Sequence, residues 1–279
     1  MIELGKYANL MVMRRTTVGI YLGDEHGDEV LLPNKFITNK TISVGDKMEV
    51  FVYKDSEDRL IATTDKPQIL VDEFAYLYVN EVNENGAFLD WGLERDLFVP
   101  FREQMKKMEE DRSYMVYMYR DAESDRLVAS SKITKFTDNE NHTFEEGDEV
   151  QIQVWDVTLL GVSVIINGRY KGLIFHNDIF THLSMGEKRM AYIKTVREDN
   201  QLDVILQKPG YDAVEPNAQL ILELLKKTDG FLELTDRSEP TLIYRKLEMS
   251  KKLFKKAIGT LYRRKLISLD DDGIRLIKK

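Results

Sequence analysis

Two sets of side chains have the type and spacing to act on a flat, charged ligand. Phe88 sits in Gly86-Ala87-Phe88-Leu89-Asp90, and Tyr21 lies between Gly19 and Gly23. An outward aromatic ring beside Gly, where no Cβ blocks approach to the backbone, is a stacking platform for an unpaired base. The second set is basic: Lys251, Lys252, Lys255, Lys256 and Arg263 in the run SKKLFKKAIGTLYRRKL. Drawn at helical pitch, these five share one side with Gly259 in their midst, and Leu253, Phe254, Ala257, Ile258 and Leu261 cluster opposite. Such a face neutralises phosphates while its apolar back is held by other helices.

Other chemistry finds no constellation. Cys is absent, which removes disulfides, thiolate metal sites and a Cys nucleophile. His26, His142, His176 and His182 lack metal-ligand spacing, and no phosphate-cradling Gly loop or nucleophile elbow occurs. The acidic pairs Asp24-Glu25 and Glu109-Glu110 fall in turn or helix-surface contexts. No catalytic residue, metal or cofactor is expected. The N-terminus, MIELGKYANL, has no basic-then-apolar leader, and no apolar run approaches the ~20 residues a spanning helix needs. A soluble cytoplasmic protein without a membrane partner is expected.

The elements that must position these residues recur. At 279 residues the chain is long enough for two or more domains. Three segments share one order: a strand, a Gly-led second strand, a short third strand, a spacer and a two-strand hairpin. They begin at MVMRRTTVGIYLGD, YLYVNEVNENGAFLDWG and VQIQVWDVTLLGVSVIING. Five short strands rich in Val, Ile, Tyr and Phe read as a small barrel. Strand alternation turns Ala87, Leu89 and Trp91 inward and Phe88 outward with Gly86 and Asp90. It likewise turns Ile20 and Leu22 inward with Tyr21 outward, and Val162, Val164 and Ile166 inward with Ser163 outward. The competing reading packs Phe88 under the connector or against a neighbouring repeat. Asp65-Lys66-Pro67-Gln68, Thr137-Asp138-Asn139-Glu140-Asn141 and Lys208-Pro209-Gly210 mark the joints, short enough to predict a semi-rigid string.

From Asp212 the period changes to that of a helix. One helix holds Pro216 in its first turn and stops at Asp229-Gly230, a second starts at Ser238-Glu239-Pro240, and Ser250 caps a third. LISL and IRLI then make a hairpin with Asp272-Gly273 at its turn. Three helices and a hairpin predict a winged helix-turn-helix. The expected fold is mainly β with a C-terminal α+β module: barrels over 1–66, 69–137 and 143–208, and a winged helix over 212–279. Formal net charge is −8, but Thr241–Lys279 holds twelve basic and four acidic residues, a net +8 against −16 elsewhere.

The strand order resembles the S1-motif branch of the OB-fold. The match is clearest in the second repeat, with Gly86-Ala87-Phe88-Leu89, Leu97-Phe98-Val99-Pro100-Phe101-Arg102-Glu103 and Asp125-Arg126-Leu127-Val128-Ala129-Ser130. In that family the aromatic of the second strand touches RNA, which implies the same for Phe88 and Tyr21. A further aromatic or His on the third strand implies Phe175 in the third repeat, whereas Pro33 and Pro100 take that slot in the others. The family's hairpin Arg implies phosphate-facing roles for Arg59 and Arg126. Over essentially the whole chain, the sequence resembles the conserved virulence factor B family of bacterial RNA-binding proteins. Its most specific stretches are MSKKLFKKAIGTLYR, VLLP and LFVPF. The resemblance implies a non-catalytic, post-transcriptional regulator that binds single-stranded RNA. Two alternatives stand beside it: a DNA-binding regulator docking duplex through the winged helix, and a scaffold whose acidic body meets a basic partner such as a ribosomal protein. Neither oligomeric state nor target follows from the residues.

Overall fold

The computed structural model describes residues 2–37, 42–208 and 214–277. Asp212, Lys278, Lys279 and the Pro209-Gly210 part of the expected third joint lie outside them. The first barrel consists of β1 (Tyr7–Arg15), β2 (Gly19–Gly23), β3 (Glu29–Pro33), β4 (Lys47–Lys54) and β5 (Leu60–Thr63), closed in the order β1-β2-β3-β5-β4. The second repeats this chain order with β6 (Phe74–Val82), β7 (Gly86–Asp90), β8 (Leu97–Pro100), β9 (Ser113–Arg120) and β10 (Leu127–Ser130). The third uses β11 (Glu149–Val157), β12 (Gly161–Ile166), β13 (Tyr170–Phe175), β14 (Lys188–Val196) and β15 (Leu202–Ile205), and is closed like the first. Parallel pairs β3–β5 and β13–β15 shut those two barrels. In the second, no ladder joins β8 to β10. There the Ser130 hydroxyl and the Ser131 amide both donate to the Glu103 carbonyl, at 3.1 and 3.0 Å.

The repeat is visible in backbone detail. Each first strand shifts register once against its second strand, between Val12 and Arg14, Val79 and Glu81, and Val154 and Asp156. A bulge there deepens the twist that a small barrel needs. Each second strand opens on a Gly pressed against the third strand: a Cβ on Gly19, Gly86 or Gly161 would lie 2.2, 2.3 or 2.0 Å from a carbonyl oxygen of Leu32, Val99 or Ile174. Alternation holds along these strands. Ile20, Leu22, Ala87, Leu89, Val162, Val164 and Ile166 are buried, and Tyr21, Phe88 and Ser163 are half-buried on the other face.

The chain folds as two compact units, Met1–Phe136 and Thr137–Lys279. The string predicted for the first two barrels is corrected within the first unit, where one continuous core spans both. Val50, Phe51, Val52 and Tyr53 of β4 are all buried, so that strand is covered on both faces. Phe51 and Tyr53 meet Trp91 edge-on, with ring centroids 5.7 and 6.2 Å away. Trp91 is thus buried as expected, but against the first barrel. Burying aromatic surface of this size dominates the energetics of a small interface.

In the second unit the third barrel and the C-terminal module have separate cores. The module runs α1 (Val214–Lys227), β16 (Phe231–Leu232), α2 (Pro240–Leu247), α3 (Lys251–Arg263), β17 (Ile267–Leu269) and β18 (Ile274–Leu276). Asp229 and Gly230, both at positive φ, end α1 as predicted. Ser250 caps α3, accepting from the Leu253 amide at 3.2 Å. Ser238 instead accepts from the Thr235 amide at 2.8 Å in the preceding turn, leaving Glu239 at the start of α2. β16 adds a third strand to the wing, in the order β16-β18-β17. Gly273 is needed for this contact, since a Cβ there would sit 2.5 Å from the Leu232 carbonyl oxygen. No helix among the described residues is long and apolar enough to cross a membrane.

Candidate nucleic-acid interface

In the second barrel, β7 and β8 place Phe88 directly opposite Phe98. The two rings are half-buried and lie 5.1 Å apart at a tilt of 36°. They line a cleft of about 760 Å³ together with Tyr53, Arg95, Arg102 and Arg126. Phe98 is the aromatic on the third strand that sequence reading missed. Pro100 stands opposite Gly86 and starts a single 3-10 turn at φ −64°. Pro33 does the same opposite Gly19, at φ −58°. A ring-locked φ near these values suits such a turn. Counting back two residues from Pro100, by the period of a strand, finds Phe98.

The other barrels present different faces at the equivalent position. Tyr21 pairs with Leu31, and the Arg14 guanidinium covers its ring at 3.6 Å from the centroid. Arg14 is held there by Glu29 at 2.7 Å. Ser163 pairs with Leu173 in the third barrel. Phe175 occupies the slot of Pro33 and Pro100, opposite Gly161, with the Arg197 guanidinium 5.4 Å from its ring centroid.

The cleft's cations are already engaged. Arg126 is ion-paired to Asp58 at the tip of the first barrel's β4–β5 turn, and Arg95 lies 4.0 Å from the same carboxylate. Arg102 makes looser contacts of 3.7 Å to Asp121 and 3.9 Å to Glu123. Lys54 grips Asp125 at 2.8 Å, which braces one barrel's hairpin on the other. Arg59 points elsewhere: it donates twice to Asp55, at 2.9 and 2.8 Å, and pairs with Glu57. Hydrogen bonds from Ser124 hold the Asp121 carboxyl below the usual range, and that from Arg126 does the same for Asp58. Burial pushes the Tyr53 hydroxyl up to about 12. At neutral pH the cleft therefore mixes cations and carboxylates around two rings.

The winged helix offers the opposite arrangement. Leu253, Phe254, Ala257, Ile258 and Leu261 are buried, while Lys252, Lys255, Lys256 and Arg263 are exposed. Lys251 is half-buried and donates to the Arg237 carbonyl at 3.3 Å. Lys255 sits 3.6 Å from Asp236, and Arg263 donates to the Thr260 hydroxyl at 3.4 Å. The ammonium groups of Lys252 and Lys256 make no ion pair or hydrogen bond among the described residues. A Cβ on Gly259 would meet nothing within 4 Å. The acidic wing tip is partly neutralised by Arg275, which pairs with Asp270 and Asp272 at 3.0 and 2.5 Å.

Comparison with known proteins agrees with these modules. Residues 4–65 and 73–132 match the S1 domain, and residues 219–276 match the CvfB-like winged helix domain. A protein named Conserved virulence factor B from Staphylococcus epidermidis is 25% identical, covering 91% of this chain and 88% of its own length. One of the same name from Staphylococcus aureus is also 25% identical, covering 85% and 82%. A solved multidomain protein with nucleic acid binding domains from Streptococcus pneumoniae is 23% identical over 98% of both chains, at a TM-score of 0.43. The matched domains are of nucleic-acid-binding, regulatory kinds rather than catalytic ones. With two S1 domains, a CvfB-like winged helix domain and relatives 25% identical along most of its length, the chain is similar to the proteins named Conserved virulence factor B.

Proposed function

We propose that this protein binds single-stranded RNA and regulates gene expression post-transcriptionally in the bacterial cytoplasm. The observation that carries the reading is the Phe88–Phe98 pair, half-exposed on the wall of a cleft whose rim holds three arginines. Two rings on adjacent strands stack successive unpaired bases, and stacking tolerates any base because each has a π-face. Duplex DNA cannot offer its bases this way without unpairing. The α3 face supplies the second contact, with Lys252 and Lys256 on phosphate and Gly259 giving the backbone room to come close. Tyr21, Phe175, Arg59 and the remaining α3 cations are lesser contacts, each already engaged within the chain.

Fluorescence anisotropy with a labelled, unstructured oligoribonucleotide tests this. Single-stranded RNA is expected to outcompete duplex DNA of equal length, and Phe88→Ala to weaken RNA binding. Duplex DNA binding more tightly, with Phe88→Ala unchanged, would transfer the function to the winged helix alone.

A further inference from the structure

Asp58 stands at the tip of the first barrel's β4–β5 turn, at φ 60°, its amide donating to the Asp55 carbonyl at 3.1 Å. Its carboxylate does not serve that turn. It reaches across to Arg126 of the second barrel and lies 4.0 Å from Arg95. Both arginines line the cleft that holds Phe88 and Phe98. One carboxylate thus neutralises two of the cleft's three arginines. A guanidinium fork takes a carboxylate or a phosphate in the same planar geometry, so the two anions are interchangeable on it.

We propose that Asp58 occupies the place of a nucleic-acid phosphate on Arg126, so that binding in the cleft proceeds by exchanging this carboxylate for a phosphodiester. The inference rests on the reading that the cleft takes single-stranded nucleic acid. The pair suits exchange because it is reached by water: the Asp58 and Arg126 side chains are 41% and 49% exposed, and pairs of that kind are weak. The joint between the barrels survives the exchange. Lys54 still grips Asp125 at 2.8 Å, Arg95 still donates to the Asp55 carbonyl at 2.5 Å, and Trp91 stays buried on Phe51 and Tyr53. The device sets a threshold: a lone anion must beat a tethered one, whereas a strand that also stacks on Phe88 gains enough to displace it. The Asp58 carboxyl, held below its ordinary range by Arg126, stays ionised and competing at neutral pH.

The test is Asp58→Asn in the full chain, since Asn tolerates the left-handed backbone and removes only the charge. With a short unstructured oligoribonucleotide, Asp58→Asn is expected to bind about two- to fivefold tighter, the span of an exposed ion pair. Its log–log salt slope should steepen by up to about 0.7, because no carboxylate is released from Arg126 to take up a cation as the phosphate arrives. Most of the gain should vanish in an Arg126→Gln background. Glu94→Gln, which unpairs Lys35 outside the cleft, controls for net charge. Unchanged or weaker binding by Asp58→Asn, or an equal gain from Glu94→Gln, overturns the proposal. If Phe88→Ala binds as the parent does, the cleft reading itself fails and takes this inference with it. If Phe88→Ala weakens binding but Asp58→Asn does nothing, only the exchange is lost.

Discussion

The second barrel and the winged helix meet a polyanion with opposite resources. The barrel offers rings and arginines that carboxylates already hold; α3 offers Lys252 and Lys256, whose ammonium groups have no ion pair or hydrogen bond among the described residues. A ligand on the barrel exchanges one ion pair for another, so few counterions are released and its binding should depend weakly on salt. On α3 each phosphate contact is new, and the salt dependence should be steep. Surface charge alone, read as +8 against −16, points to α3 and passes over the paired rings of the second barrel.

The largest expected effect breaks the barrel side of this contrast. Gly86→Ala would push a Cβ to 2.3 Å from the Val99 carbonyl oxygen and 2.8 Å from the Phe98 ring. It should destabilise the first unit by about 1–3 kcal/mol, as overpacking does, and displace Phe98; thermal melting reads the first and RNA titration the second. Next, Phe88→Ala should cost about 1–3 kcal/mol of RNA affinity with the salt slope unmoved. The pair Lys252→Gln and Lys256→Gln should instead flatten the slope by about 1.4 while leaving stacking intact. Equal slope changes in both variants would erase the distinction. Gly259→Ala sharpens the helix side through a reversal of sign. Ala should stabilise α3 by about 0.5–1 kcal/mol, because nothing in the chain crowds its Cβ, yet weaken nucleic-acid binding. Tighter binding would mean that no backbone approaches there.

The smallest effect concerns the seam beneath the cleft. Tyr53 ionises near pH 10 when unfolded but is pushed up to about 12 by burial in the fold. The neutral form is the one the fold favours, so its contribution is complete below pH 10 and is lost as pH rises from there toward 12. Chemical denaturation across that range should show the decline, and Tyr53→Phe should blunt it.

Much of this was legible in the residues. Period two separated Ala87 and Leu89 from Phe88, and helical period separated the two faces of α3, because both follow from local backbone geometry. The seam between barrels has a local sign in the sequence. Val50-Phe51-Val52-Tyr53 is a continuous apolar run, the pattern of a strand covered on both faces. Phe98 was missed because Pro100 was weighed as the aromatic's replacement when it is the start of a turn. What had no local sign was the pairing of charges. Arg126 meets Asp58 across 68 residues, and nothing in either neighbourhood names the other. The wing's β16 is two residues long, too short for any period to show.

Trp91 has a use beyond packing. The chain has two tryptophans, and they fall one to each compact unit: Trp91 wedged between barrels in the first, Trp155 on β11 in the second. Indole emission shifts to longer wavelength when water reaches the ring. A Trp155→Phe variant therefore leaves a fluorophore that reports whether the first two barrels are docked, and Trp91→Phe leaves one that reports on the other unit. The molecule carries its own pair of optical probes, without a label, for asking whether its halves melt together or in turn.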